Sequence, residues 1–304
     1  MERVCNGVIR VPTSFVNAYL VCDGSSWVLI DSGLPGFSAL IRKAAAEVFG
    51  ANSKPEAIIL THGHFDHSGS ARTLAKHWGV PVFAHKLELP YLTGKSKYPA
   101  PDPTVGGAIG FLSRFMPSAG MNVGNVEALT EDREESGPVP GLNHWRWLAT
   151  PGHSPGHISF FREDDQTIIA GDAVATMDME SAIGLLSKKR LLSRAGAPFN
   201  HDWDATASSV KKLAQVRPRV LVAGHGLPML GPDLAAQFAQ FAEEFRAPEH
   251  GRYAGKAAET NDQGVVWIPP KPYDPFPKQA LTVAGIAVAS YILGRGIFGR
   301  RHRG

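Results

Sequence analysis

The tightest constraint on this chain is the stretch from Ile58 to His67, Ile-Ile-Leu-Thr-His-Gly-His-Phe-Asp-His, which crowds His62, His64, Asp66 and His67 into six residues. Ile58 to Leu60 reads as a buried strand and Ser68 to His77 as a helix, so the four polar groups occupy a strand-to-helix turn. Side chains alternate along a strand, which sends His62 and His64 out on one side while the turn swings Asp66 and His67 toward them. Gly63 leaves that approach uncrowded. A lone histidine on a turn is commonly a surface accident. Four such groups on one turn would stay unsatisfied or repel unless a cation gathered them, so a metal site is expected here.

Around this turn the chain reads as alternating strands and helices. Phe15 to Val21 and Trp27 to Ile30 flank the turn-forming Asp23-Gly24-Ser25-Ser26, which predicts a hairpin. The second strand ends in Asp31-Ser32-Gly33, and residues 37 to 49 show helical spacing up to Gly50. Asp31 is either a turn residue or an acceptor for a ligand imidazole. Val80 to Ala84 is another short strand. From Lys86 to Thr130 the pattern loosens into Pro, Gly and bulky apolar residues, either a satellite core or a lid over the site. Glu131 to Pro140 reads as an exposed loop.

Strands then resume at His144 to Ala149, at Ile158 to Phe161 and at Thr167 to Ala170. The first runs into His153 in a rigid Thr-Pro-Gly-His-Ser-Pro-Gly-His turn, and the third, joined to the second across Glu163-Asp164-Asp165, ends in Gly171-Asp172. Asp202 offers an N-cap for a helix to about Gln215, and the strand from Arg219 to Ala223 ends in Gly224-His225-Gly226.

The order His62-x-His64-x-Asp66-His67, His153, Gly171-Asp172, Gly224-His225-Gly226 resembles the metallo-beta-lactamase superfamily over about Val8 to Ala247. That resemblance implies an α/β fold, a four-layer αββα sandwich, with the site at one edge of its two sheets. It implies that His62, His64 and His153 hold one divalent metal ion, that Asp66, His67 and His225 hold a second, and that Asp172 bridges them. Zinc is the first choice, and histidine and carboxylate donors also suit iron or manganese. Two such cations would acidify a shared water into a hydroxide nucleophile and polarise the bond under attack, with Asp66 also orienting the nucleophile as the catalytic carboxylate.

Within the family, an aspartate at position 172 is similar to glyoxalase II and lactonases, whereas enzymes that destroy beta-lactam drugs typically carry cysteine or serine there. The best-known acyl-homoserine lactonases place a substrate-contacting tyrosine where this chain has Ala175, and Tyr91 or Tyr98 could replace it. Flavin-linked di-iron relatives usually carry glutamate where His64 stands. The expected reaction is metal-dependent hydrolysis of a carboxylic ester, lactone or thioester. Phosphodiester or phosphotriester cleavage on the same site is the alternative, and an inactive metal-binding scaffold the reading from a different class. The substrate is expected to be a small molecule with an apolar portion, seated against residues 86 to 126 with Phe111 and Phe115 among its contacts. The other histidines are expected to be surface or locally bonded groups, with His157 and His201 the two worth testing.

Composition excludes some partners. With 304 residues and a formal net charge of +3, much of the basic excess sits at Arg295, Arg300, Arg301 and Arg303, so the body carries no footprint for nucleic acid. Cys5 and Cys22 make neither a disulfide framework nor a thiolate metal site. No basic start followed by an apolar stretch opens the chain, which makes a cytoplasmic location the default expectation. The predicted boundaries are a hydrolase domain over 1–247 and an extension over 248–304. The extension holds a Pro-rich linker and an apolar stretch at 280–294, which would dock on the body, associate with a membrane or form a dimer contact.

Overall fold

The computed structural model describes residues 1–117, 121–187, 189–274 and 276. Its first sheet has seven strands in sequential order: β1 (Glu2–Cys5), β2 (Val8–Thr13), β3 (Val16–Asp23), β4 (Ser26–Ile30), β5 (Ile58–Ile59), β6 (Val82–Ala84) and β7 (Glu127–Ala128). The second has six, in the order β13-β12-β11-β10-β9-β8, from β8 (Ser136–Val139), β9 (Leu142–Ala149), β10 (Ile158–Arg162), β11 (Thr167–Ile169), β12 (Val220–Val222) and β13 (Met229–Leu230). In both sheets the strands that carry the site, β4 beside β5 and β11 beside β12, are parallel neighbours. Their C-terminal ends therefore open on the same edge.

The layering follows from apolar residues on both faces of the central strands. Tyr19, Val21, Val28, Ile30 and Ile59 point inward against Trp145, Trp147, Phe160, Ile169 and Val222 of the second sheet. Their neighbours Leu20, Leu29, Ile58 and Leu60 point outward, onto α1 (Ser38–Phe49) and α3 (Ala71–Trp78) through Ile41, Ala44, Ala45 and Leu74. Ile168 and Leu221 leave the other sheet in the opposite direction and meet Trp203, Val210, Leu213 and Phe238 of α7 (Trp203–Gln215) and α8 (Leu234–Glu244). Strands buried on both faces read as continuous apolar runs, and this is the physical basis of the four layers.

Asp66 and His67 lie within a separate helical turn, α2 (Phe65–Ser68), ahead of α3. Ser68 Oγ donates to the carbonyls of Gly63 and His64 and closes that turn. The expected exposed loop before Pro140 instead contributes the edge strand β8, and α8 has no counterpart among the expected elements. The remaining helices, α4 (Leu89–Leu92), α5 (Gly107–Ser113) and α6 (Ala182–Leu186), belong to two excursions at the open edge.

The compact unit extends to Pro270, beyond the boundary expected at residue 247. Tyr253 is buried in the cluster under α7 and α8, its hydroxyl donates to the Ala100 carbonyl, and Ala258 N donates to the His201 carbonyl. A hairpin of β14 (Glu259–Asn261) and β15 (Gly264–Trp267) completes this unit. A second unit begins at Lys271, and the apolar stretch 280–294 lies outside the described residues. Among the described residues no helix is long and apolar enough to cross a membrane.

Candidate metal centre

Five chain segments converge where the two sheets open: Asp31 after β4, His62 to His67 after β5, His153 between β9 and β10, Asp172 after β11, and His225 after β12. His62 Nε2 lies 2.9 Å from His64 Nδ1, which lies 3.0 Å from His153 Nε2. Beside this trio, Asp66 Oδ2 is 4.0 Å from His67 Nε2 and 3.6 Å from His225 Nε2. Asp172 stands between the two sets. Its Oδ2 is 3.5 Å from His153 Nε2 and 3.2 Å from His225 Nε2, and its Oδ1 is 3.4 Å from His67 Nε2. All seven sequence-predicted donors are thus brought together. They form overlapping groups able to hold a metal ion, His62-His64-His153, His62-His67-Asp172 and Asp66-His67-His225, with ligand atoms in each group within 4.8 Å of one another.

The surroundings set the tautomers. Thr61 Oγ1 donates to Asp31 and so accepts from His62 Nδ1 at 3.0 Å, while His67 Nδ1 donates to Asp31 Oδ2 at 2.8 Å. His153 Nδ1 donates to Asn200 Oδ1 at 3.1 Å and His225 Nδ1 to the Phe15 carbonyl at 2.9 Å. In each of these four imidazoles the proton is spoken for at Nδ1, and the Nε2 lone pair faces the centre. Burial, reinforced by the neighbouring imidazoles, holds His62 and His64 well below the ordinary histidine pKa, and burial also lowers His153. Burial opposes charge on His67 and His225 as well, yet Asp172 raises both, helped by Asp31 and Asp66 at His67. Asp172 is itself held well below the usual carboxylate range by His225 and His67, against its burial.

The donor set fits divalent metal. His67 Nε2 and Asp172 Oδ1 are buried and have no hydrogen-bond partner although they face each other. Imidazole nitrogens and unpaired carboxylate oxygens crowded this closely are the donors that such ions take up. Glycine at 224 is part of the fit, because a Cβ there would overlap Asp172 Oδ1 and stand 2.6 Å from His67 Cε1.

The sequence profile of the metallo-beta-lactamase superfamily matches residues 11–225, a span that contains every one of these donors. The chain belongs to that superfamily. A probable metallo-hydrolase of Bacillus subtilis, YflN, is 40% identical over 245 residues, covering 79% of this chain and 91% of the relative. A hydroxyacylglutathione hydrolase of Haemophilus influenzae, GloC, is 28% identical over 177 residues, 56% of this chain and 68% of that one. Among solved structures, a B3 metallo-beta-lactamase with an active-site glutamic acid superposes with a TM-score of 0.55 at 18% identity, over 80% of this chain and 86% of that one. A metallo-beta-lactamase family protein of Thermus thermophilus gives 0.53 at 22%, over 80% and 79%. The two structures establish the αββα fold. By family the chain is a metallo-hydrolase.

Several contributors to this superfamily site escape a reading of the sequence in whole or in part. His157, one of the two histidines expected to be worth testing, is buried and locally bonded rather than at the surface. Its Nε2 accepts from Asp172 N at 2.8 Å and its Nδ1 donates to Thr150 Oγ1, in a relay that continues through Ser159 Oγ to the Ala170 carbonyl. Burial depresses its pKa to about 3, so the ring stays neutral and fixes the backbone of Asp172. The doubled Pro-Gly-His pattern at 151–157 is its only local signal. Asn200 and the Phe15 carbonyl carry no signal at all, since nothing in their local sequence distinguishes them. His201 is also buried, with its pKa pushed down to about 3 by burial, and joins none of the donor groups.

A cavity of about 320 Å³ opens above the centre. His64, Asp66, His153, Asp172 and His225 form its floor, and its walls include Ile109, Leu112, Met116, Met177, Met179 and Leu185. Residues 86–130 therefore divide between both expected roles: Leu92, Val123 and Val126 join the core under α3, while Ile109, Leu112 and Met116 make a wall. Ile109 and Leu112 of α5 and Met116 just beyond it line the cavity, whereas Phe111 and Phe115 do not. Those two rings are 44% and 72% exposed, which corrects their expected role as substrate contacts. Tyr91 and Tyr98 do not line it either. They stack at 4.0 Å, buried behind the His62–His64 turn.

Proposed function

We propose that this metallo-hydrolase is dinuclear and cleaves a carboxylic ester, lactone or thioester whose acyl portion is apolar. In this reading His62, His64 and His153 would hold one ion and Asp66, His67 and His225 the other, with Asp172 placed to serve both. Zinc is the first choice of metal, with iron or manganese suited to the same donors. Once bound, the pair supplies an acidified water and Lewis-acid polarisation of the carbonyl oxygen. The chain's own part is to place those events. Asp66 reaches the cavity floor, where its carboxylate accepts a hydrogen bond from the attacking water and aligns it. Asp172, anchored through His157, keeps a negative charge between the two donor sets. Methionine, leucine and isoleucine side chains seat the acyl portion and exclude bulk water, burial worth about 25 cal/mol per Å² of apolar surface.

The observation that carries the acyl reading is the lining of this cavity: apolar side chains stand directly over the donors, and among the described residues no lysine or arginine lines it. A phosphodiester or a glutathione conjugate brings anionic groups that such walls leave unpaired. A scaffold would be free to lose ligands, and none of the seven is missing. Turnover of an ester and lactone series of rising acyl length, by protein carrying two metal equivalents, tests the reading. We expect kcat/KM to rise with chain length until the cavity is filled. Indifference to length, with phosphodiesters hydrolysed faster than every carboxylic ester, would replace it with phosphoryl transfer to water.

A further inference from the structure

Glu88 is the most completely enclosed carboxylate near the centre, with 0% exposure, and no part of the mechanism above uses it. It follows β6 on the far side of the His62–His64 turn from the cavity. Its Oε2 accepts from Gly63 N at 2.9 Å and from the Tyr98 hydroxyl. Its Oε1 accepts from Ser154 Oγ at 2.8 Å and from Gly156 N at 2.7 Å. Gly63 lies between His62 and His64, and Ser154 follows His153. One carboxylate thus joins the two loops that carry the three-histidine set, although those loops are about ninety residues apart in sequence.

We propose that Glu88 is a positioning residue that sets the spacing of His62, His64 and His153 and thereby the metal affinity of that set. This rests on the dinuclear reading given above. The chemistry singles out a carboxylate. Gly63 and Gly156 present backbone N–H groups to the two different oxygens of the carboxylate, and a backbone N–H cannot turn into an acceptor. An amide of the same shape has a single acceptor oxygen, so either way round its NH2 meets a backbone donor. Two loops then lose their common anchor, and buried donors are left unpaired. Tyr98 completes the anchor. Its hydroxyl donates to Glu88 and also accepts from Gly63 N at 2.9 Å, and its ring lies 4.5 Å from that of His64. Space is tight here: a Cβ on Gly63 would stand 2.6 Å from the Tyr98 oxygen. The Asp66-His67-His225 set has separate supports in Asp31 and the Phe15 carbonyl, so loss of the Glu88 anchor falls on one set and spares the other.

The test is titration of chelator-stripped protein with cobalt(II), followed by d–d absorption and by bound metal. Wild type is expected to take two equivalents. Glu88→Gln should weaken one of them at least ~10-fold, the scale of lost outer contacts to metal ligands, and leave the other unchanged. The spectrum of the single ion it retains should match that of His153→Ala, which damages the same set, and differ from that of His225→Ala. Asp165→Asn, which breaks the remote Arg162–Asp165 pair, controls for destabilisation alone and should bind both ions normally. If Glu88→Gln does not fold, Ser154→Ala and Tyr98→Phe each remove one donor and should shift the same ion in the same direction by a smaller factor. Wild-type affinities and spectra in the folded variants would overturn the inference. A wild-type chain that binds fewer than two equivalents would overturn the dinuclear reading beneath it, a separate and recognisable result.

Discussion

The floor of the cavity and its walls are built on different physical terms. Each floor donor sits at a strand end or on the first helical turn after one, and four imidazoles have their Nδ1 protons assigned to named acceptors. Asp31 holds His67 directly and His62 through Thr61, while itself in the left-handed region at φ 57°, a conformation that its two-sided hydrogen bonding must over-determine. The walls come from two excursions, residues 103–116 and 176–199, whose contacts over the cavity are chiefly dispersion between flexible side chains. Ile109, Ala175, Met179 and Ala195 form their own small cluster, with Met116, Met177 and Leu185 packed beside it. Methionine-rich surfaces adapt to what they contact, whereas a hydrogen-bonded donor set does not. Under the proposed function, chemistry falls to the part that tolerates little change, and substrate choice to the part that tolerates more.

That contrast orders the expected effects of mutation. The largest is on the floor: Asp172→Ala should release or loosen metal and reduce turnover by at least ~100-fold, since it removes the one carboxylate that faces both donor sets. Metal analysis alongside kinetics checks it, and near-normal activity with full metal would show that Asp172 does not span the centre. On the walls, Met179→Ala should keep both metals and reduce kcat/KM for the best wild-type acyl substrate by about 10-fold, while moving the optimum to a longer chain. Loss of metal from that variant would erase the distinction between floor and wall. Smallest of all, Phe111→Ala and Phe115→Ala should leave the chain-length profile within about twofold of wild type, because neither ring reaches the cavity. A flattened profile would show that α5 presents a different face to the substrate.

The two excursions also show where local pattern stops being informative. The pattern over residues 86–130 is too loose to place α5, and it does not say which of Phe111 and Leu112 looks into the cavity, since that depends on what the helix packs against. The second wall has no forerunner in the local pattern. Residues 176–199 carry no strong period, and they become a wall because Thr176 pairs with the His225 loop and Ala175 with Ser193.

By itself the sequence determined the strands buried on both faces, the hairpin at residues 23–26, the N-cap at Asp202 and the seven donors with their order. Each of these is written in spacings of a few residues or in one turn's chemistry. Tertiary structure alone decided how the donors are held. Glu88 meets Gly63 and Gly156, His157 meets Asp172, Asn200 meets His153, and Tyr19 and Asn17 of β3 bind the Ala223 carbonyl of the opposite sheet. Each joins residues well apart along the chain, and most of them far apart. A hydrogen bond senses only distance and direction in space, so such pairs acquire their partners when the two sheets pack and leave no period in the sequence from which to read them.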